Sequence, residues 1–373
     1  MGRYTPPGQL VYWRAGTLLA LPLDLARLEV TGSIPVAIAE GVMVTGTVFG
    51  ALGAQFASSS TGSLAYFPLA PHQYERRLVW VDRKGEVQPI PAPPRSYLNA
   101  ALSPDGRQVA VGILSNTWDT WIYDLTRGTL TRLASEASSS QFPIWTPDGK
   151  RVTYRGTRAG FRNLYWKLAD GTGSEERLTS SENAQEPLSW SPDGKVLAFD
   201  DESPITGADI WTLRVEGDPG KPGQAGKPRV LLKTPFLETA EQFSPDGRWL
   251  AYESDESGRN EIYVQPFPGP GGKWQVSTEG GSEARWAANG RELFYRNGDR
   301  MMVVEVSATP SGFSAGKPRL LFEGKYLAGG RTGAYSVSPD GQRFLMIQTV
   351  EPEQPATQIN VVLNWQKAVT SGK

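Results

Sequence analysis

A four-residue corner, Ser-Pro-Asp-Gly, recurs at Ser103–Gly106, Ser191–Gly194, Ser244–Gly247 and Ser338–Gly341, with Thr-Pro-Asp-Gly at Thr146–Gly149. Proline pre-sets a negative φ, aspartate bonds the backbone ahead of it, and glycine accepts a positive φ. An apolar residue precedes each corner (Leu102, Trp145, Trp190, Phe243, Val337), and a β-rich run such as Trp249-Leu250-Ala251-Tyr252 follows. Each corner therefore joins two strands.

Corner glycines, degenerate ones included, fall at Gly8, Gly62, Gly106, Gly149, Gly194, Gly247, Gly290 and Gly341, 43 to 54 residues apart. That is the period of a four-stranded propeller blade. A second register repeats with it: a polar residue, one intervening residue, then an aromatic. It reads Asp119-Thr120-Trp121, Asn163-Leu164-Tyr165, Asp209-Ile210-Trp211 and Glu261-Ile262-Tyr263. The expected fold is all-β: one β-propeller over residues 1–373, built of four-stranded antiparallel blades. In the clearest repeat the strands are Ala240–Ser244, Trp249–Glu253, Glu261–Phe267 and Lys273–Thr278. Eight corners point to eight blades; merging the incomplete end units gives seven. No helix of useful length is expected, and Ile359–Trp365 reads as a strand. The N-terminal segment either supplies an outer strand to the last blade, or the chain is a piece of something longer.

Composition narrows the chemistry. Lys and Arg (38) nearly balance Asp and Glu (39), so no overall basic field exists to bind phosphate backbones. With no Cys and a single His, His72, thiol catalysis, disulfides, thiolate zinc and His-pair metal sites are excluded. No run of about 20 apolar residues is present, and Thr17–Pro22 reads as a strand of the first repeat rather than a leader.

The repeated corners together with Asp209-Ile210-Trp211 resemble the TolB-like, WD-like propeller repeats of bacteria, over essentially the whole chain. The stretch Phe243–Thr278 and the ending Val361–Trp365 resemble the C-terminal propellers of membrane-anchored bacterial serine/threonine kinases. That resemblance implies a periplasmic or extracytoplasmic setting and a parent with a kinase domain and a membrane helix; this chain carries neither.

Several patterns suggest chemistry. Gly312–Gly316 matches G-x-S-x-G, but it sits between two strands with the only His some 240 positions away, where a nucleophile elbow needs a strand, a helix and a nearby base. Gly269–Lys273 lacks the Ser or Thr and the helix of a phosphate loop. The corner aspartates lie one per blade and read as turn residues. Asp200, Asp201, Glu202 and Asp209 read as a solvated acidic turn, with a surface Ca²⁺ site as the other reading. His72 reads as a loop residue, and Trp121, Trp145, Trp190, Trp211 and Trp286 as packing between blades.

Innermost strands line a propeller's channel, so polar residues just ahead of the corners converge there from separate blades. These are Asn99, Gln141, Glu186, Glu241, Glu283 and Arg285. They are expected to line a water-filled binding channel. In a metal reading, Glu186, Glu241 and Glu283 supply charge to Ca²⁺ or another divalent cation, and Arg285 opposes it. No cofactor is otherwise indicated. The expected function is a sensor-like binding propeller, extracytoplasmic as the resemblance implies, offering loops and channel to a protein, peptide or glycan. The alternative is a hydrolase of phosphotriesters, esters or lactones using a channel-bound divalent cation; a third is a structural accessory domain of a kinase.

Overall fold

The corner explains the local architecture. In Ser103, Thr146, Ser191, Ser244 and Ser338 the hydroxyl donates to the corner aspartate two residues on, at 2.5–2.6 Å. The same oxygen accepts the backbone N–H five residues on, at 2.9–3.0 Å, where the second strand starts. All eight corner glycines have positive φ, from 67° to 89°. The hydroxyl bond holds the carboxyls of Asp105, Asp193 and Asp340 below the usual range. These aspartates are scaffold.

The computed structural model describes the chain except residues 1, 7, 15–16, 33, 46–52, 69–74, 116, 135–138, 217–223, 270, 310–311, 330–332, 351–357 and 372–373. The chain forms two compact units, Met1–Gln73 with Glu351–Lys373, and Tyr74–Val350.

The larger unit contains six sheets, each with four strands in line. Five are consecutive in sequence, with inner strands Ser96–Leu102, Ser140–Trp145, Ala184–Trp190, Glu238–Phe243 and Ser282–Trp286. The fourth sheet, Glu238–Phe243, Trp249–Ser254, Glu261–Pro266 and Trp274–Gln275, follows the expected strands to within two residues at most ends. The sixth sheet is composite: Ser336–Val337 and Arg343–Thr349 form its inner half, Arg76–Asp82 and Val87–Pro89 its outer half. Arg83, beyond Arg76–Asp82, grips Glu292 of the fifth sheet through two nitrogens, at 3.0 and 2.7 Å.

Hydrogen bonds between neighbouring sheets close the ring. The indoles of Trp145, Trp190 and Trp286 donate to Ala101 O, Thr153 Oγ1 and Gln242 O. Phe243 N donates to Ser189 Oγ, Tyr335 Oη to Glu283 O, and Leu102 N to Ser336 Oγ. Apolar side chains between sheets supply the bulk of the packing, for example Val152, Tyr154 and Trp145 against Ala110 and Ile122.

The second register also has a structural reason. Asp119, Asn163, Asp209 and Glu261 are buried at the start of third strands. Each meets a cation: Asp119 Arg132 at 2.9 Å, Asn163 Arg177, Asp209 Lys233 at 3.0 Å, and Glu261 Arg259 at 3.0 Å.

The smaller unit holds a five-stranded sheet (Gly2–Thr5, Gln9–Arg14, Thr17–Asp24, Glu29–Val30, Val36–Glu40), a three-stranded sheet (Asn360–Val362, Leu64–Tyr66, Phe56–Ser58) and a two-stranded one. Thr17–Pro22 is a strand, as expected.

Three expectations are corrected. Tyr74–Val350 has six sheets in its ring rather than eight or seven blades, since the corners at Gly8 and Gly62 serve sheets of the smaller unit. Gly2–Thr5 pairs with Gln9–Arg14, so Arg76–Pro89, not the N-terminus, completes the sheet of the last corner. The expected strand Ile359–Trp365 is strand only at Asn360–Val362; Asn364 turns with φ of 57°, and a short helix, Trp365–Ser371, follows. No helix among the described residues is long and apolar enough to cross a membrane.

Ser244→Ala removes two bonds of one buried corner and is expected to cost about 1–3 kcal/mol. Urea unfolding checks this. Asp246→Asn, which leaves the hydroxyl an acceptor, is expected to cost less.

Candidate functional site in the channel of the larger unit

The six residues immediately before the corners, Leu102, Trp145, Trp190, Phe243, Trp286 and Val337, all line one cavity of about 300 Å³. All six sheets contribute, because each corner ends an inner strand at the same end of the channel. The size is at the lower end for small-ligand pockets. Asn99, Ser189, Gln242, Arg285 and Ser336 add polar groups to the wall.

Of the six predicted channel residues, Asn99 and Arg285 line this cavity; Gln141, Glu186, Glu241 and Glu283 do not. The reason is register. Counted back from the first corner residue, Arg285 stands at two, Glu241 at three, Asn99 and Glu283 at four, Gln141 and Glu186 at five. Strand side chains alternate in direction. Bulges in five inner strands shift them further, three with a residue at positive φ: Phe142, Ala240 and Glu283. Asn99 packs over its cross-strand partner Gly112, where a Cβ would fall 2.6 Å from Asn99 Oδ1, so a side chain there would displace the Asn99 amide.

The residues beyond the cavity wall form a buried polar belt. Arg155 donates to Gln141 and, at 3.4 Å, to Glu186, with its guanidinium over the Phe142 ring. Glu186 pairs across the strands with Asp200, which accepts from Thr239 Oγ1 at 2.7 Å. Glu253 accepts from Glu283 N, and the Glu283 carboxylate accepts Gly329 N and Ala334 N, both at 2.9 Å. Glu241 is 1% exposed, and among the described residues neither carboxylate oxygen has a hydrogen-bond partner. Burial, then the charges of Asp200, Glu186 and Glu253, push its pKa well up. Burial pushes Glu253 up to about 8.

Arg155, Asp200 and Glu253 belong to the belt but were not among the six predicted channel residues. Each stands six residues after its corner glycine, at the far end of a second strand. Counting forward from the corners, as well as back, finds them.

The proposed metal trio does not form. Both Glu283 oxygens are held by backbone N–H groups, and among the described residues no three His, Cys, Asp or Glu side chains are placed to hold a metal ion. The acidic turn is also corrected. Asp200, Asp201 and Asp209 are buried and bonded: Asp201 to Asn183 and Gln185, Asp209 to Lys233 and Thr206. Ser314 of the G-x-S-x-G match is exposed in a hairpin strand paired with Ser307. His72 lies outside the described residues.

The architecture is matched by solved structures. A TolB-type protein of Agrobacterium tumefaciens superposes with a TM-score of 0.60 at 17% identity, covering 74% of this chain and 99% of that one. The fold is that of a TolB-like β-propeller. A hydrazine synthase of Kuenenia stuttgartiensis covers 84% of this chain and 91% of its own at a TM-score of 0.50 and 14% identity. In sequence, the chain is 36% identical over 118 residues to an uncharacterised protein of Agrobacterium fabrum, 31% of this chain and 39% of that protein. It is 24% identical over 183 residues to an uncharacterised peptidase of Bacillus subtilis, 40% of this chain and 28% of that one. The chain thus spans less than half the length of these curated relatives. No protein-family model matches.

The raised Glu253 has a pH signature. A carboxyl that binds its proton more tightly when folded stabilises the fold fully below the unfolded value, about 4.5, and loses that contribution as pH rises through about 8. The melting temperature is expected to fall between pH 5 and 9, and Glu253→Gln to flatten that slope. Thermal melts across pH check this.

Proposed function

We propose that this chain is a sensor-like binding propeller, placed outside the cytoplasm, that takes a protein, peptide or glycan segment into the corner end of its channel. One observation carries the reading: the cavity of about 300 Å³ is walled by the pre-corner residues of all six sheets. Three tryptophans and Phe243 give it flat apolar faces, while Asn99, Gln242, Ser189 and Arg285 supply polar groups. The exposed lining is more polar than apolar, which suits a ligand held by hydrogen bonds beside an aromatic face. The indoles are already tied to neighbouring sheets, so they offer ring faces and little freedom, which lowers the ordering cost of binding. The extracytoplasmic placement and a role beside a kinase rest on the sequence resemblance.

Titration of a panel of short peptides and oligosaccharides, read by tryptophan emission, tests the reading. A binder is expected to lose about tenfold in affinity in Gln242→Ala and in Arg285→Ala, the scale of one lost polar contact. Affinity unchanged in both variants, or no binder in the panel, would reject this site.

A further inference from the structure

Two residues ahead of each corner, the inner strands of the larger unit carry Ala101, Ile144, Ser189, Gln242, Arg285 and Ser336, and all six line the cavity. One position repeated in six strands sets these residues at one level of the channel. The ring they form is divided. Sheets one and two contribute Ala101 and Ile144, which are apolar, and sheets three to six contribute four polar residues in succession. The two hydroxyls already serve the fold: Ser189 Oγ accepts Phe243 N, and Ser336 Oγ accepts Leu102 N and donates to Ala100 O. Gln242 and Arg285, half-buried on neighbouring inner strands, bring the ring's side-chain N–H groups.

Arg285 is the one charged side chain among the described residues of the wall. A guanidinium keeps its charge at any working pH, and this one is held in place. Its Nη1 donates to Ala284 O at 2.8 Å, and its Cζ lies 5.7 Å from the centre of the Tyr335 ring. Gly333, at φ of 72°, leaves room for it, since a Cβ there would collide with Nη2. Five N–H donors in a planar fork let a guanidinium bind a planar anion while keeping its bonds to the protein.

We propose that Arg285, with Gln242 beside it, binds the C-terminal carboxylate of a peptide whose last side chain rests against Ala101 and Ile144. The proposal deepens the binding reading above and rests on it. A carboxylate is singly charged and matches one guanidinium bidentately, whereas a phosphate dianion calls for more positive charge than this wall has. The divided ring asks for an anion on one side and an apolar group on the other, and the last residue of a peptide supplies both. A cavity of about 300 Å³ takes a chain end more readily than a loop. A sugar acid has the charge, but hydroxyls around its ring would go unpaired against Ala101 and Ile144.

The test titrates the full chain with acetyl-Ala-Leu, its C-terminal amide and methyl glucuronide, read by the emission of the wall tryptophans. The acid is expected to bind at least about tenfold more tightly than the amide. Arg285→Gln is expected to weaken the acid to the level of the amide. Arg285→Lys, which keeps the charge without the fork, is expected to retain part of the preference.

Equal binding of acid and amide by wild type overturns the carboxylate assignment and leaves the channel reading standing. An acid preference that survives Arg285→Gln removes Arg285 from the site. Binding of the glucuronide without the acid peptide rejects the peptide terminus. No response to any of the three overturns the assignment, and the peptide and oligosaccharide panel then decides the channel reading by itself. The wild-type comparison needs no variant, so it still decides the matter if Arg285→Gln fails to fold.

Discussion

The hydroxyl-to-carboxylate bond in each corner fixes more than a turn. The same serine or threonine oxygen receives the first N–H of the second strand, so the corner sets where one strand stops and the next starts. Once that relation is fixed in successive repeats, the residues just ahead of the corners arrive at one end of the channel together. The cavity is a product of that repetition. Its aromatic wall is also structural, since the Trp145, Trp190 and Trp286 indoles stitch each sheet to the one before it. In the binding reading proposed above, packing and recognition draw on the same side chains, and the polar residues between them are left to give selectivity.

The buried belt follows a different logic. Charged groups inside a protein are tolerated when partners and hydrogen bonds offset their desolvation. Gln141 and Glu186 do this for Arg155, and two backbone N–H groups do it for Glu283. Glu241 has no such partner among the described residues, and its raised pKa favours the neutral, protonated form instead. A core built for stability alone has little use for that arrangement, because an apolar residue of similar volume there costs less. The anomaly falls next to the cavity wall, in the part of the molecule where inner strands bulge and regular pairing is interrupted.

Much of the fold was legible because its signals are local. Proline, aspartate and glycine in series specify the turn, and every corner glycine adopts the expected backbone. The polar residue at the start of third strands was legible as a pattern, though its cationic partners, Arg132, Lys233 and Arg259, were not. Ring size was misread for the same reason that the turns were read well. Gly8 and Gly62 are genuine corners, but a turn does not say which sheets it joins, and that is decided by the pairing of Arg76–Asp82 with Arg343–Thr349. The candidate site was half legible. Position relative to the corner placed Asn99 and Arg285 at the cavity, whereas bulges, invisible in sequence, sent Gln141, Glu186, Glu241 and Glu283 elsewhere. Asp201 and Asp209 looked exposed because acidic residues near a hairpin usually are; Asn183, Gln185 and Lys233 make burial tolerable.

The composite sixth sheet also matters for how the protein is made. Its outer strands, Arg76–Asp82 and Val87–Pro89, are synthesised more than 250 residues before Arg343–Thr349, the strand that completes them. At ribosomal speeds that interval is roughly 15–50 s. Five sheets can form in order as they emerge, each from contiguous chain, while the first hairpin waits with an open edge. The entropic cost of closing so long a loop rises only slowly with its length, so the burden is one of time and exposure more than of final stability. Arg76, Arg77 and Asp82 put charge along that waiting strand, a feature that discourages pairing with the edge of another nascent chain.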